Sequence, residues 1–233
     1  MSEHYNSLGQ PIGYPVTTEL PRPFPPPTPM VGRTCRIVPL DIAAHAAGLF
    51  EANNRDDDGR NWTYLPYGPF SNLADYVAWL EKDCTGKDPL FHTVLDAEER
   101  PVGIASYLRI EPGAGCIEVG HIHFSPLLQR TVASTEAMFL MMHRVFDELG
   151  YRRYEWKCDA LNAPSCQTAK RLGFEFEGIF RQATVYKGRN RDTAWFAIVD
   201  SDWPAIRAAY ERWLDPANFD AEGRQLAPLA TRA

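Results

Sequence analysis

Ile117-Glu-Val-Gly-His-Ile-His-Phe124, halted by Ser125-Pro126 and followed by Gln129-Arg-Thr-Val-Ala-Ser-Thr-Glu-Ala137, is the stretch on which the fold turns. Cys116 to Phe124 reads as a strand. From Val132 to Leu149 the apolar positions 138, 139, 142, 145, 146 and 149 form a helical stripe, and Gly150 stands where a C′ glycine belongs. Beyond it, Tyr154, Trp156 and Cys158 alternate with Arg153, Glu155 and Lys157, the pattern of a strand with one polar face. Strand, helix, strand in that order demands a right-handed crossover if the two strands pair in parallel.

Working outward, Leu90–Leu95 and Val102–Ile110 join Cys116–Phe124 in an antiparallel meander. Its turns are Asp96 to Pro101 and Glu111-Pro-Gly-Ala-Gly115. Upstream lie a strand over 33–40, a helix from Asp41 (its N-cap) to about Ala52, and a polar, acidic break over 53–61. An aromatic segment follows (Trp62, Tyr64, Tyr67, Phe70), then a helix capped by Ser71 and running to about Lys82. Downstream come a short helix over 163–172 with Asn162 as N-cap, strands near 174–186 and 192–199 joined by Lys187-Gly-Arg-Asn190, and a helix over 203–214. The order is β-α-α-β-β-β-α-β-α-β-β with a closing helix, a mixed α/β layer domain.

The 233 residues, 45% hydrophobic, suffice for a sizeable core. Eight of the 19 prolines fall between Pro11 and Pro29, so residues 1–32 read as an extended arm. That arm packs over the domain or across to a second subunit, as in a homodimer. Residues 33–215 form the domain, and 216–233 a loosely held tail. A net charge of −6 argues against nucleic acid as the main partner. The longest wholly apolar run, Ala137 to Met142, is far short of the roughly 20 residues of a membrane span. The N-terminus shows no basic-then-apolar secretory pattern. Five cysteines without C-x-x-C spacing fit a reducing cytoplasm and free thiols.

The ordered set Ile117-Glu-Val-Gly-His121, Gln129 to Ala137, Asn162-x-x-Ser165, Arg171-Leu-Gly-Phe174 and Glu177-Gly178 resembles the GNAT superfamily of N-acetyltransferases, closest to the RimJ/RimL branch that acetylates ribosomal-protein N-termini. The resemblance implies a central mixed, twisted sheet with helices on both faces, and acetyl-CoA as acyl donor to a primary amine acceptor, with no metal. The implied cofactor contacts are the backbone at Ile122, His123 and Phe124, the loop Gln129, Arg130, Thr131, Val132, Ala133 and Ser134, and Asn162 and Ser165. In such a fold two strands splay for the pantetheine arm, and Gly120 is the natural place for the bulge that starts the splay. The pyrophosphate would meet the helix N-terminus.

Two departures stand out. Val132 and Ser134 replace the small residues usual in that loop, where glycine lets phosphate approach the backbone, although Arg130 offers a fork of donors. Ala169 occupies the position where many relatives carry the tyrosine that protonates the leaving thiolate, and Ser165 is the candidate for that role. Glu118 is either the general base or a strand carboxylate paired with an arginine. His121 is a second base candidate if a bulge at Gly120 brings it to the face of Glu118. A His-x-His metal pair lacks further ligands. Trp62, Tyr64 and Tyr67 either wall an acceptor pocket or belong to the core. Arg181, Lys187, Arg189 and Arg191 either attract an anion or form a solvated hairpin. The competing class is a non-catalytic GNAT-fold binding protein that has lost acetyl transfer.

Overall fold

The computed structural model describes residues 4–232. In chain order its strands are β1 (His4–Tyr5), β2 (Pro11–Ile12), β3 (Met30–Val31), β4 (Arg36–Pro39), β5 (Leu90–Leu95), β6 (Pro101–Glu111), β7 (Cys116–Phe124), β8 (Arg153–Asp159), β9 (Glu175–Tyr186) and β10 (Arg189–Val199). Its α-helices are α1 (Ile42–Asn53), α2 (Leu73–Asp83), α3 (Val132–His143), α4 (Ala163–Arg171) and α5 (Trp203–Leu214). The main sheet has the order β3-β4-β5-β6-β7-β8-β10-β9. Every pairing in it is antiparallel except β7 with β8, which the crossover through α3 makes parallel.

Helices cover both faces. α3 and α5 pack on the face of Tyr107, Ile117, Val119, Tyr154 and Phe196. α1 and α2 bury Leu49, Tyr76, Trp79 and Leu80 with Phe91 and Ile104 on the other face. The second face is covered only over its β4–β6 half; toward β8, β9 and β10 it carries charges, described below.

Local signals explain most boundaries. Asp41 caps α1 by accepting from the Ala44 N–H at 3.1 Å. The cap of α2 is Asn72 and not Ser71: Asn72 Oδ1 accepts from the Asp75 N–H at 2.9 Å. A serine and an asparagine side by side are both good caps, and the asparagine takes the role one residue later. The long helix expected to reach Leu149 ends as an α-helix at His143. The stretch Arg144–Glu148 widens into a π-turn that still buries Val145 and Phe146, so the apolar stripe survives the change of pitch.

The proline-rich arm lies against the domain of its own chain. The buried Arg144 donates to the carbonyls of Thr28 and Pro29 at 2.6 and 3.0 Å, Tyr151 to that of Pro23, and Arg22 to that of Leu149. These bonds satisfy carbonyls that prolines leave without a ladder partner. The tail is not loose. Arg232 donates to the Gly173 carbonyl at 2.9 Å, Thr231 to that of Arg171, and Trp213 to the Gln225 side chain.

Glu136, inside the quoted stretch, has a structural task. Its buried carboxylate accepts from the N–H groups of Arg33 and Thr34, at 2.8 and 2.6 Å, and from the Thr34 hydroxyl. It thereby fastens the turn between β3 and β4 to α3. Gly32 allows this approach, because a Cβ there would sit 2.6 Å from the Glu136 carboxyl carbon. Glu136→Ala leaves two backbone donors unpaired, and urea denaturation should show a loss of about 2–4 kcal/mol.

Candidate active site

β7 and β8 pair only from Cys116/Arg153 to Val119/Trp156. Beyond that point β8 stays with β10 out to Thr193/Asp159, while β7 stays with β6. The two parallel strands thus part, and the edges of β7 and β8 beyond Val119 and Trp156 have no strand between them. The parting coincides with a bulge: Ser106 opposes Gly120 but Ile104 opposes His123, so β7 holds one extra residue. The left-handed residue is His121, with φ +50°, and not Gly120. Gly120 serves by being small, since a Cβ there would lie 2.9 Å from Leu108 Cδ2. The Ser106 hydroxyl donates to the Gly120 carbonyl at 3.1 Å and fastens the bulge.

The bulge places Glu118, His121 and His123 on one face, as the sequence reading allowed. Glu118 is 3% exposed; both its oxygens lie 2.7 Å from Arg109 Nη1 and one lies 2.8 Å from Lys157 Nζ. Burial raises its proton affinity, opposed by Arg109 and Lys157. The ion pairing continues across the sheet: Lys157 to Glu155, Glu155 to Arg153, Arg153 to Glu177. Glu118 therefore has the arginine partner of the plain reading, and a lysine besides.

His121 Nδ1 lies 3.1 Å from the Tyr67 hydroxyl. Burial, followed by the charges of Arg109 and Arg191, lowers the His121 pKa to about 4, so the imidazole is neutral at pH 7. Burial holds the Tyr67 phenol protonated. The donor in this hydrogen bond is set by the histidine tautomer, and neutral His121 carries one ring N–H and one lone-pair nitrogen.

His123 is buried and stacks on Trp62 at 3.7 Å between centroids. Trp62, 4% exposed, packs in the core beneath α1 and α2 and also lines a surface pocket with Phe50, Asn53, Pro69 and Phe70. Tyr67 is half-buried and bound to His121. Tyr64 reaches across the opening, its hydroxyl donating to the Leu161 carbonyl at 3.1 Å.

On the β8 side, Asn162 Oδ1 accepts the Ser165 N–H at 3.2 Å, and Ser165 Oγ accepts the Trp156 indole N–H at 3.0 Å. The Ser165 hydroxyl also interacts with the Cys158 side chain, which lowers the proton affinity of that thiol against the rise that burial causes. Ala169 is fully buried, so a tyrosine there would need the core to open.

The loop ahead of α3 is partly closed upon itself. Thr131 Oγ accepts the Ser134 N–H and donates to the Leu128 carbonyl, and Gln129 Nε2 donates to the Phe124 carbonyl at 2.7 Å. Ser134 N–H and the Gln129 side chain are therefore already engaged within the loop. The N–H groups of Val132 and Ala133 remain as first-turn donors, and Arg130, at φ +61°, projects an exposed guanidinium beside them. A parted strand pair with bare backbone edges, leading to a helix N-terminus with free donors, fits an extended amide-bearing arm that ends in phosphates.

Comparison with known proteins agrees with that geometry. Residues 35–175 match the acetyltransferase (GNAT) domain family. A GCN5-related N-acetyltransferase from Brucella melitensis is 46% identical and superposes with a TM-score of 0.89, covering 92% of this chain and 97% of that one. A probable acetyltransferase of the GNAT family from Chromobacterium violaceum ATCC 12472 is 38% identical with a TM-score of 0.75, over 84% of this chain and all of that one. The uncharacterized N-acetyltransferase YnaD of Bacillus subtilis is 25% identical over 146 residues, 63% of this chain and 84% of its own length. The chain belongs to the GNAT family of acetyltransferases, and its mixed α/β sheet is the fold of that family.

His123 and the equally buried His92 of β5 have pKa values lowered to about 3 and about 4 by burial. Their unfolded counterparts protonate near 6.5, so the unfolded state binds more protons below that pH. Stability is held above pH 6.5 and lost as pH falls toward 4, by roughly 2 kcal/mol or more for each ring. The urea midpoint should drop across that window, and His123→Phe, which keeps the stack on Trp62, should flatten the drop.

Proposed function

We propose that the protein transfers acetyl from acetyl-CoA to a primary amine by direct attack in a ternary complex, with no covalent enzyme intermediate. The carrying observation is the parting of β7 and β8 at the His121 bulge, beside the buried Glu118 carboxyl and with Ser165 on the far flank. Residues 33–215 form the catalytic unit, with 1–32 as its arm and 216–233 as its tail. The motifs favour the RimJ/RimL branch, whose acceptors are protein N-termini; a small amine is the other candidate acceptor.

The roles follow from the geometry. The strand edges from Gly120 to Phe124 and from Lys157 to Asp159 pair the pantetheine arm. Val132, Ala133 and Arg130 receive the pyrophosphate. Glu118 takes the ammonium proton through a water, its burial favouring protonation and its cations fixing its position. Ser165 donates to the departing thiolate. Backbone donors in the bulge stabilise the oxyanion, and His121 is the second candidate base. Holding both substrates in register contributes most of the acceleration.

Acetyl-CoA at millimolar concentration should raise the melting temperature by mass action, and the absence of a shift overturns the reading. Glu118→Gln should lower the rate of CoA thiol release by about 100-fold or more, with the melting shift retained. Ser165→Ala should lower that rate by about 10-fold or more and leave acetyl-CoA binding in place. Undiminished rates in both variants remove these two assignments.

A further inference from the structure

We propose that the acceptor carries an anionic group, a carboxylate or phosphate, close to its amine, and that Arg191 is the specificity residue that receives it. The inference rests on the acetyl-transfer reading above and names the substrate class of that same site.

The β9–β10 hairpin closes over the opening. Lys187 at its tip donates to the Trp62 carbonyl at 2.8 Å, and Tyr186 donates to Asp159 at 2.8 Å. Along β10, Ala194, Phe196 and Ile198 enter the core, which turns Thr193 and Trp195 to the face of Glu118 and Lys157; Arg191 follows just beyond the β8 ladder, past an irregularity in the β9 pairing, with its guanidinium 6.0 Å over the Tyr186 ring. On that face Arg109, Arg153 and Lys157 each have a carboxylate partner. Arg191 is half-buried and has no ion pair among the described residues, and its Nε is shielded from solvent without a hydrogen-bond partner. Trp195 Nε1 is in the same condition, and its ring carries Lys157 Nζ at 3.8 Å.

Neighbouring carboxylates do not answer these donors. Asp192 accepts from the Gln182 N–H and the Asn190 side chain; Asp159 accepts from Tyr186 and the Leu161 N–H. The Arg191 guanidinium lies over the Tyr186 ring, whose hydroxyl reaches Asp159 at the end of β8, which places this cation at the mouth of the opening. A guanidinium and an indole offer donors and no acceptor, so what satisfies them brings lone pairs and, for the cation, negative charge. The phosphates of acetyl-CoA have their own donors at the start of α3, which leaves this cation to the acceptor.

The test uses the full chain and matched amines: leucine and leucinamide, glycylglycine and its amide, O-phosphoethanolamine and ethanolamine, with spermidine as the purely cationic case. Binding is read by calorimetry and turnover by thiol release. Acidic members are expected to exceed their neutral partners by about 10-fold or more in affinity or kcat/KM. Arg191→Gln should erase that preference and leave the KM for acetyl-CoA unchanged, and Arg191→Lys should restore part of it. If no amine releases thiol, the acetyl-transfer reading fails; a calorimetric acid preference lost in Arg191→Gln still upholds the anion site. No acid preference in either measurement, a preference for spermidine, or a raised KM for acetyl-CoA in Arg191→Gln overturns the proposal.

Discussion

The parallel contact between β7 and β8 ends at Val119/Trp156, and much of the molecule is arranged around that ending. A sheet of eight strands gains hydrogen bonds at every paired edge, so an interior gap is unstable unless each flank is held from its far side. β6 holds one flank through the fastened bulge at Gly120–His121, and β10 holds the other through a regular ladder from Val199/Arg153 to Thr193/Asp159. The one extra residue in β7 turns the strand away and also moves both histidines to the face of Glu118. Geometry that opens the sheet and geometry that equips the opening are therefore the same event.

Charge on the open half of that face is organised by the same pairings. Glu118 lies opposite Glu155 in the parallel register, two carboxylates that repel unless a cation stands between them. Lys157 supplies it, at 2.8 and 2.7 Å from the two, and Arg109 and Arg153 complete the row on either side. A buried row of this kind contributes little net stability, because desolvation offsets attraction. Its effect is positional: it fixes the carboxylate that lies nearest the bulge in sequence, and it leaves Arg191 as the cation the row does not absorb.

How far the sequence made this legible depends on how local the signal was. Alternation and turn residues located β5, β7, β8 and α5 at their observed ends, because a period of two or 3.6 with Gly or Pro stops is a local property. The cap of α2 slipped by one residue where Ser71 and Asn72 compete, and the end of α3 slipped because a π-turn keeps apolar residues buried at a different pitch. At the site, the reading that Glu118 meets an arginine follows from strand alternation. Lys157 as its second partner does not, because the parallel register that sets Glu118 opposite Glu155, 37 residues on, is a tertiary fact. Trp62 read ambiguously for a similar reason: only the bulge in β7 brings His123 onto its ring.

Arg191 shows the same limit from the other direction. In the sequence it is one of four basic residues around a hairpin, and nothing distinguishes it from Arg181 or Arg189. The fold separates them by burial and position. Arg191 is half-buried over the Tyr186 ring, whereas Arg181 belongs to the exposed edge strand and Arg189 lies at the exposed hairpin end. A cation on a solvated edge is satisfied by water, and one half-buried beside a ligand cleft is not. The unspent charge is thus a property of the cleft rather than of the hairpin, and it marks the part of the site that discriminates among acceptors.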